Sequence, residues 1–137
     1  ASFYQGAYRF KKHFPGMVGQ LDSKGEEFDC AQIIDTLPQV KHWIRNLETR
    51  PQTSFWLPTS TDRFYPDFVA QLQDGRILVI EYKGAHLADT QDTKEKRNIG
   101  QLWAEKSGRK GIFIMAEKRN TQNLDTRAQI VAAINGS

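Results

Sequence analysis

The sequence predicts an α/β fold in which a central sheet is covered by helices on both faces. Three observations carry that expectation. Residues 63–87, RFYPDFVAQLQDGRILVIEYKGAHL, read as a β-hairpin that is apolar on both faces. Residues 23–37 and 93–108 carry apolar side chains at helical spacing on either side of it, and residues 110–116, KGIFIMA, form a continuous apolar run of strand length. A hairpin apolar on both faces requires cover on both, which the flanking helices can supply.

Taken in order, residues 1–22 mix aromatics with Gly and Pro and show no sustained period, so they are expected to form an arm or a short strand with loops. Within them Lys11 and Lys12, with Arg9 and His13, lie beside Phe10 and Phe14. That composition can track a phosphate backbone and stack on a base; it also describes a solvated edge whose aromatics anchor the arm. Ser23 followed by Glu26 is a capping-box pattern and opens a helix over 23–37 with Cys30, Ala31, Ile33, Ile34 and Leu37 on its buried side. Glu27 falls on that same side, where a charged residue needs a partner or serves the positive helix end. Glu26 has a sufficient task as the reciprocal cap.

After Pro38, residues 39–50, QVKHWIRNLETR, place Val40, Trp43, Ile44 and Leu47 at helical spacing, with Lys41, His42, Arg45 and Arg50 around them. A second helix is expected there, ended by Pro51. Residues 53–57, TSFWL, read as the first strand, followed by a polar turn at 59–62.

The hairpin follows, and its register decides which side chains meet. Asp74-Gly75 marks the turn. A two-residue loop would set Asp67 opposite Tyr82. A three-residue loop, Gln73-Asp74-Gly75 with Gly75 in the left-handed conformation, sets Leu72 opposite Arg76 and Asp67 opposite Glu81. The second register places Val69, Ile77 and Val79 on one face with Asp67, Glu81 and Lys83 at its far end. Phe68, Ala70, Leu72, Leu78, Ile80 and Tyr82 line the other.

Two carboxylates side by side at the end of an apolar face are costly unless a cation sits between them. Oxygen ligands of this kind suit Mg²⁺ or Mn²⁺, and Lys83 on the same side is placed to touch an attacking water or a charge developing on phosphorus. A cross-strand ion pair between Lys83 and either acid is the plainer reading of the same residues.

Beyond Gly84 and a loop at 85–93, the helix over 93–108 is expected to turn Ile99, Leu102 and Trp103 inward, with Lys94, Lys96 and Arg97 in its first turns. Those three cations describe a solvated helix face or a phosphate contact. A buried strand at 110–116 and a short amphipathic helix near the C-terminus complete the order.

The chain has 137 residues, one cysteine and a formal net charge of +3. That length fits a single domain, and the mild positive charge permits a nucleic-acid partner without demanding one. The lone Cys30 excludes an internal disulfide or a Cys-rich zinc site. The absence of a leader pattern or a long apolar run gives the expectation of a soluble cytoplasmic protein with no membrane partner.

Pro66-Asp67, a hairpin, and then Glu81-Tyr82-Lys83 resemble the PD-(D/E)xK nuclease signature. The wider wording YPDF…DGRILVIEYKG, with VKHWIRN upstream, resembles the C-terminal nuclease region of type III restriction-type subunits and related DEAD/DEAH-helicase fusions. The resemblance implies a single nuclease-like domain with a restriction-endonuclease-like αβββαβ core over residues 23–117, its mixed central sheet flanked by helices. Residues 1–22 would be an N-terminal arm and 118–137 a C-terminal helix, the whole excised from a larger helicase-containing protein.

It further implies DNA as substrate and Mg²⁺ as cofactor, with Mn²⁺ as a substitute. Asp67, Glu81 and the carbonyl of Tyr82 would hold the metal, Glu27 would support it from the first helix, and Lys83 would serve the attacking water. Lys96, with Lys94 and Arg97 beside it and Lys11 and Lys12 on the arm, would contact the phosphate backbone. The competing expectation is a non-catalytic nucleic-acid-binding or scaffolding module serving a helicase.

Overall fold

The computed structural model describes residues 10–12, 25–46, 55–84 and 90–136. These form, in order, α1 (Glu26–Thr36), β1 (Val40–Arg45), β2 (Leu57–Pro58), β3 (Arg63–Phe64), β4 (Phe68–Leu72), β5 (Ile77–Lys83), α2 (Gln91–Lys106), β6 (Gly111–Glu117) and α3 (Thr126–Asn135). A mixed sheet of order β1-β4-β5-β6 runs through the molecule, and β2 and β3 form a separate two-stranded ribbon. β1, β4 and β5 are a meander of antiparallel neighbours, whereas β6 lies parallel to β5 after the crossover through α2. The architecture is α/β, as expected.

The hairpin adopts the three-residue loop. Phe68 pairs with Ile80 and Gln71 with Ile77, so Leu72 faces Arg76 and its N–H donates to the Arg76 carbonyl at 2.8 Å. Gly75 has φ +91°, a left-handed conformation that an L side chain would resist. Asp74 reinforces the turn by accepting from both the backbone N–H and Nε of Arg76.

Because side chains alternate along a strand, this register sorts the apolar residues into two layers. Phe68, Ala70, Leu72, Leu78, Ile80 and Tyr82 join Trp43, the apolar residues of α1, and Ile130 and Ile134 of α3. Val79 and Phe113 form the second layer with Leu57, Phe64, Ile99 and Trp103. α2 approaches this second face so closely that a Cβ on Gly100 would run into the Phe113 ring, and one on Gly111 would stand 2.6 Å from Trp103. Glycine is required at both positions by the approach of helix to strand.

Among the described residues a strand replaces the second expected helix. Its described part, Val40–Arg45, is strand β1, and residues 47–50 lie outside the described residues. The pattern was deceptive for a physical reason: a bulge between Val40 and His42 inserts an extra residue, so Val40 and Trp43 both face the core although three positions apart. An i, i+3 spacing of this kind mimics one face of a helix.

The expected first strand at 53–57 is corrected in the same way. Residues 53 and 54 lie outside the described residues, and Leu57–Pro58 pairs only with Arg63–Phe64, outside the main sheet. Two smaller expectations also change. Gly25 stands at the N-cap of α1 with no side-chain cap, and the Glu26 carboxylate accepts a hydrogen bond from the Tyr82 hydroxyl at 2.7 Å; Ser23 lies outside the described residues. On α2, which begins at Gln91 behind the N-cap Thr90, Leu102 is exposed and the close inward contact is made by Gly100.

A buried carboxylate ties the arm to this core. Asp35, 1 % exposed, accepts from the backbone N–H groups of Lys11 and Lys12 and from Trp43 Nε1, at 2.7 to 3.0 Å. The Trp43 N–H in turn donates to the Lys12 carbonyl at 3.1 Å, which covers part of the outer edge of β1.

Candidate active site

The end of the hairpin remote from its turn gathers the acids. Asp67 immediately precedes β4 and Glu81 lies across from it on β5. The Asp67 N–H donates to Glu81 Oε1 at 3.2 Å, and the Tyr82 N–H donates to Asp67 Oδ2 at 2.7 Å. Burial first, and the Asp67 charge second, push Glu81 up to about 9, against the pull of Lys96. At neutral pH the pair as a unit therefore favours retaining a proton.

Asp67 is held from two directions. Asn46, just past β1, is 4 % exposed; its Nδ2 donates to the carbonyls of Phe55 and Pro66, and its Oδ1 accepts from the Phe55 N–H. Its own N–H donates to the Asp67 carbonyl at 2.8 Å. Arg45, the last residue of β1, donates through Nη1 to the Asp67 carbonyl at 2.8 Å and to Oδ1 at 3.2 Å.

Sequence reasoning singled out neither residue for the site. Once 40–45 is read as a strand paired with β4, however, Arg45 falls opposite Phe68 and beside Asp67. The signal was present, hidden by the helical spacing of its neighbours.

A cleft of about 140 Å³ opens next to Glu81. Lys83 lines it from β5, Thr90, Asp92, Thr93 and Lys96 from the start of α2, and Met115 from β6. Lys96 bridges to Asp92 at 3.3 Å and stands over the Phe64 ring at 5.3 Å. The positive end of α2 faces the same space, with Thr90 capping the Thr93 N–H. Two acids, Glu81 and the Lys96-paired Asp92, two lysines and a helix N-terminus thus border this space, and Lys83 with the helix end can meet an anionic oxygen there.

The remaining sequence candidates divide. Glu27 reaches Arg45, with Oε1 2.8 Å from Nη2, and is thereby linked to Asp67 through one guanidinium. Burial and the Asp67 charge raise its carboxyl above the usual range, opposed by Arg45. Arg97 reaches Met115, with Nη2 3.8 Å from its Sδ, while Lys94 is exposed.

Lys12 spends its ammonium on the Leu37 carbonyl at 2.6 Å. It and Lys11 meet Asp35, eight residues along α1 from Glu27 and so roughly 12 Å away along the helix axis. Neither joins the acids. Tyr82 supplies its N–H to Asp67 and its hydroxyl to Glu26, and burial with the Glu26 carboxylate raises the pKa of that hydroxyl.

No group of three or more His, Cys, Asp or Glu side chains placed to hold a metal occurs among the described residues. The donor set that does fit a hard divalent cation is the pair Asp67 and Glu81, since Mg²⁺ is often held by one or two carboxylates and keeps waters in its other positions. A pair forced to retain a proton by burial is one that a cation can relieve.

No family model, curated protein or solved structure matches this chain. No helix among the described residues is long and apolar enough to cross a membrane.

Proposed function

We propose that this chain is a metal-dependent nuclease domain of PD-(D/E)xK type, with a restriction-endonuclease-like core, that hydrolyses DNA phosphodiester bonds beside a helicase in the cytoplasm. The observation that carries the reading is the cross-strand meeting of Asp67 with Glu81, the latter sharing one cleft with Lys83 and Lys96. The element order supports it as well: with the small ribbon set aside, the chain runs α1, three antiparallel strands, α2 and a parallel strand.

Asp67 and Glu81 would hold the cation, with the Tyr82 carbonyl adjoining. When bound, Mg²⁺ or Mn²⁺ supplies Lewis-acid polarisation of a phosphoryl oxygen and acidifies a ligated water. Lys83 orients the attacking water and offsets charge that develops on the phosphoryl oxygens, an interaction strongest in the transition state. Lys96 and the amino end of α2 position the phosphate. Lys94 and Arg97 extend that positive face along the same helix turns, and no base-reading group is invoked, so sequence choice falls to another domain.

A second reading, the non-catalytic nucleic-acid-binding or scaffolding module, has one observation in its favour. Arg45 already bridges Asp67 and Glu27 through one guanidinium. Cleavage assays on plasmid, linear duplex, single-stranded DNA and RNA, with Mg²⁺, with Mn²⁺ and with chelator, separate the two. Metal-dependent scission lost in Glu81→Gln supports the nuclease; nucleic-acid binding with no scission under any metal supports the module.

A further inference from the structure

The proposed chemistry leaves Arg45 without a task, yet Arg45 is the residue most deeply engaged with the acids. Its side chain is 13 % exposed, and its guanidinium joins two carboxylates delivered from different layers: Glu27 from α1 through Nη2, and Asp67 from the start of β4 through Nη1. The Phe68 ring lies beneath it, with the centroid 5.3 Å from the guanidinium carbon.

The oxygens it engages matter. Asp67 Oδ2 accepts the Tyr82 N–H, which leaves Oδ1 as the less committed oxygen, and Oδ1 is the one Arg45 holds. A guanidinium and a divalent cation seek the same lone pairs, and the cation brings twice the charge.

We propose that Arg45 is the resident counter-cation of the acid cluster and that it competes with the metal. This rests on the nuclease reading above. Divalent metal displaces the guanidinium from Asp67 Oδ1 and from Glu27, so that Glu27 becomes a metal ligand only after the arginine has left. In the metal-free chain the arginine keeps Asp67 and Glu27 close together, at the cost of weaker metal affinity.

The test is Mn²⁺ affinity, read from the electron paramagnetic resonance of free Mn²⁺, in the whole chain and its Arg45→Met, Arg45→Lys and Glu81→Gln variants, plus Arg45→Met combined with Glu27→Gln. Circular dichroism confirms folding of each. Arg45→Met should bind Mn²⁺ about tenfold more tightly, the scale of one lost competing charge-assisted hydrogen bond. Adding Glu27→Gln should cancel that gain.

If Arg45→Met does not fold, Arg45→Lys carries the test, because a lysine cannot fork to both acids and should also tighten binding. Unchanged or weaker affinity in the folded Arg45 variants overturns the proposal and makes Arg45 a fixed strut. The nuclease reading survives that result if wild type binds Mn²⁺ and Glu81→Gln does not. Failure of every variant, wild type included, to bind Mn²⁺ overturns both.

Discussion

Glu81 Oε1 accepts the backbone N–H of Asp67, the residue directly across the hairpin, at 3.2 Å, while Asp67 Oδ2 accepts the N–H of Tyr82, the next residue along β5, at 2.7 Å. Each acid is thus clamped by the other's strand. Their separation is set by the register of the hairpin rather than by free rotation of side chains, which is the preorganisation a two-carboxylate site needs.

The first prediction concerns pH. Burial and the Asp67 charge disfavour the charged form of Glu81 and push its carboxyl up from about 4.5 to about 9. A raised acid favours the native state while protonated, so its contribution is fully present below about 4.5 and is lost as pH rises toward about 9. Glu81→Gln keeps the neutral shape and lacks that slope. Urea midpoints of variant and wild type, measured without metal, should therefore diverge in favour of the variant between about pH 5 and pH 9. Curves that stay parallel across this window would show that the pair does not retain its proton.

The second concerns the division of labour among the site residues. Asp67→Asn keeps an oxygen for the Tyr82 N–H but removes a charged ligand, so Mn²⁺ binding and cleavage should be lost together. Lys83→Ala should leave Mn²⁺ and DNA binding largely intact while cleavage falls about a hundredfold or more, the scale of one electrostatic group acting in the transition state. Equal losses of binding in both variants would remove Lys83 from the proposed role.

A third tests the approach of α2 to the sheet. Alanine is a better helix former than glycine by about 1 kcal/mol, so Gly100→Ala on an open helix would stabilise. Here the added methyl meets the Phe113 ring, and overpacking of this kind costs about 1–3 kcal/mol. Gly100→Ala should lower the urea midpoint, and the further change Phe113→Leu should recover part of the loss. A stabilised single variant would mean that helix and strand stand farther apart.

The fourth addresses Asp35. Removing it by Asp35→Ala strands the N–H groups of Lys11 and Lys12 and the Trp43 indole N–H, at about 1–3 kcal/mol for each donor left buried and unpaired. Stability should drop by at least about 2 kcal/mol, and protease cleavage around residues 10–12 should accelerate. A variant of wild-type stability would show that the arm is not fixed through this carboxylate.

The hairpin, its bulged turn and the meeting of Asp67 with Glu81 were legible in the sequence because they are local. A Gly at the turn and strict two-residue alternation specify both register and faces over fewer than twenty positions. The α/β class was legible for the same reason, since each face of the hairpin announced its need for cover.

What only the tertiary structure decided are the encounters between elements far apart in the chain. Val40 and Trp43 share a face through a bulge that forms only on pairing with β4, so their spacing read as helical. Arg45 reaches Asp67 from 22 residues away and Glu27 from α1, and its place became readable only once 40–45 paired as a strand with β4. Gly100 against Phe113, and Asp35 as acceptor for the arm, are equally invisible until the layers pack. Periodicity records which side of an element avoids water; it carries no record of which distant charge will meet it there.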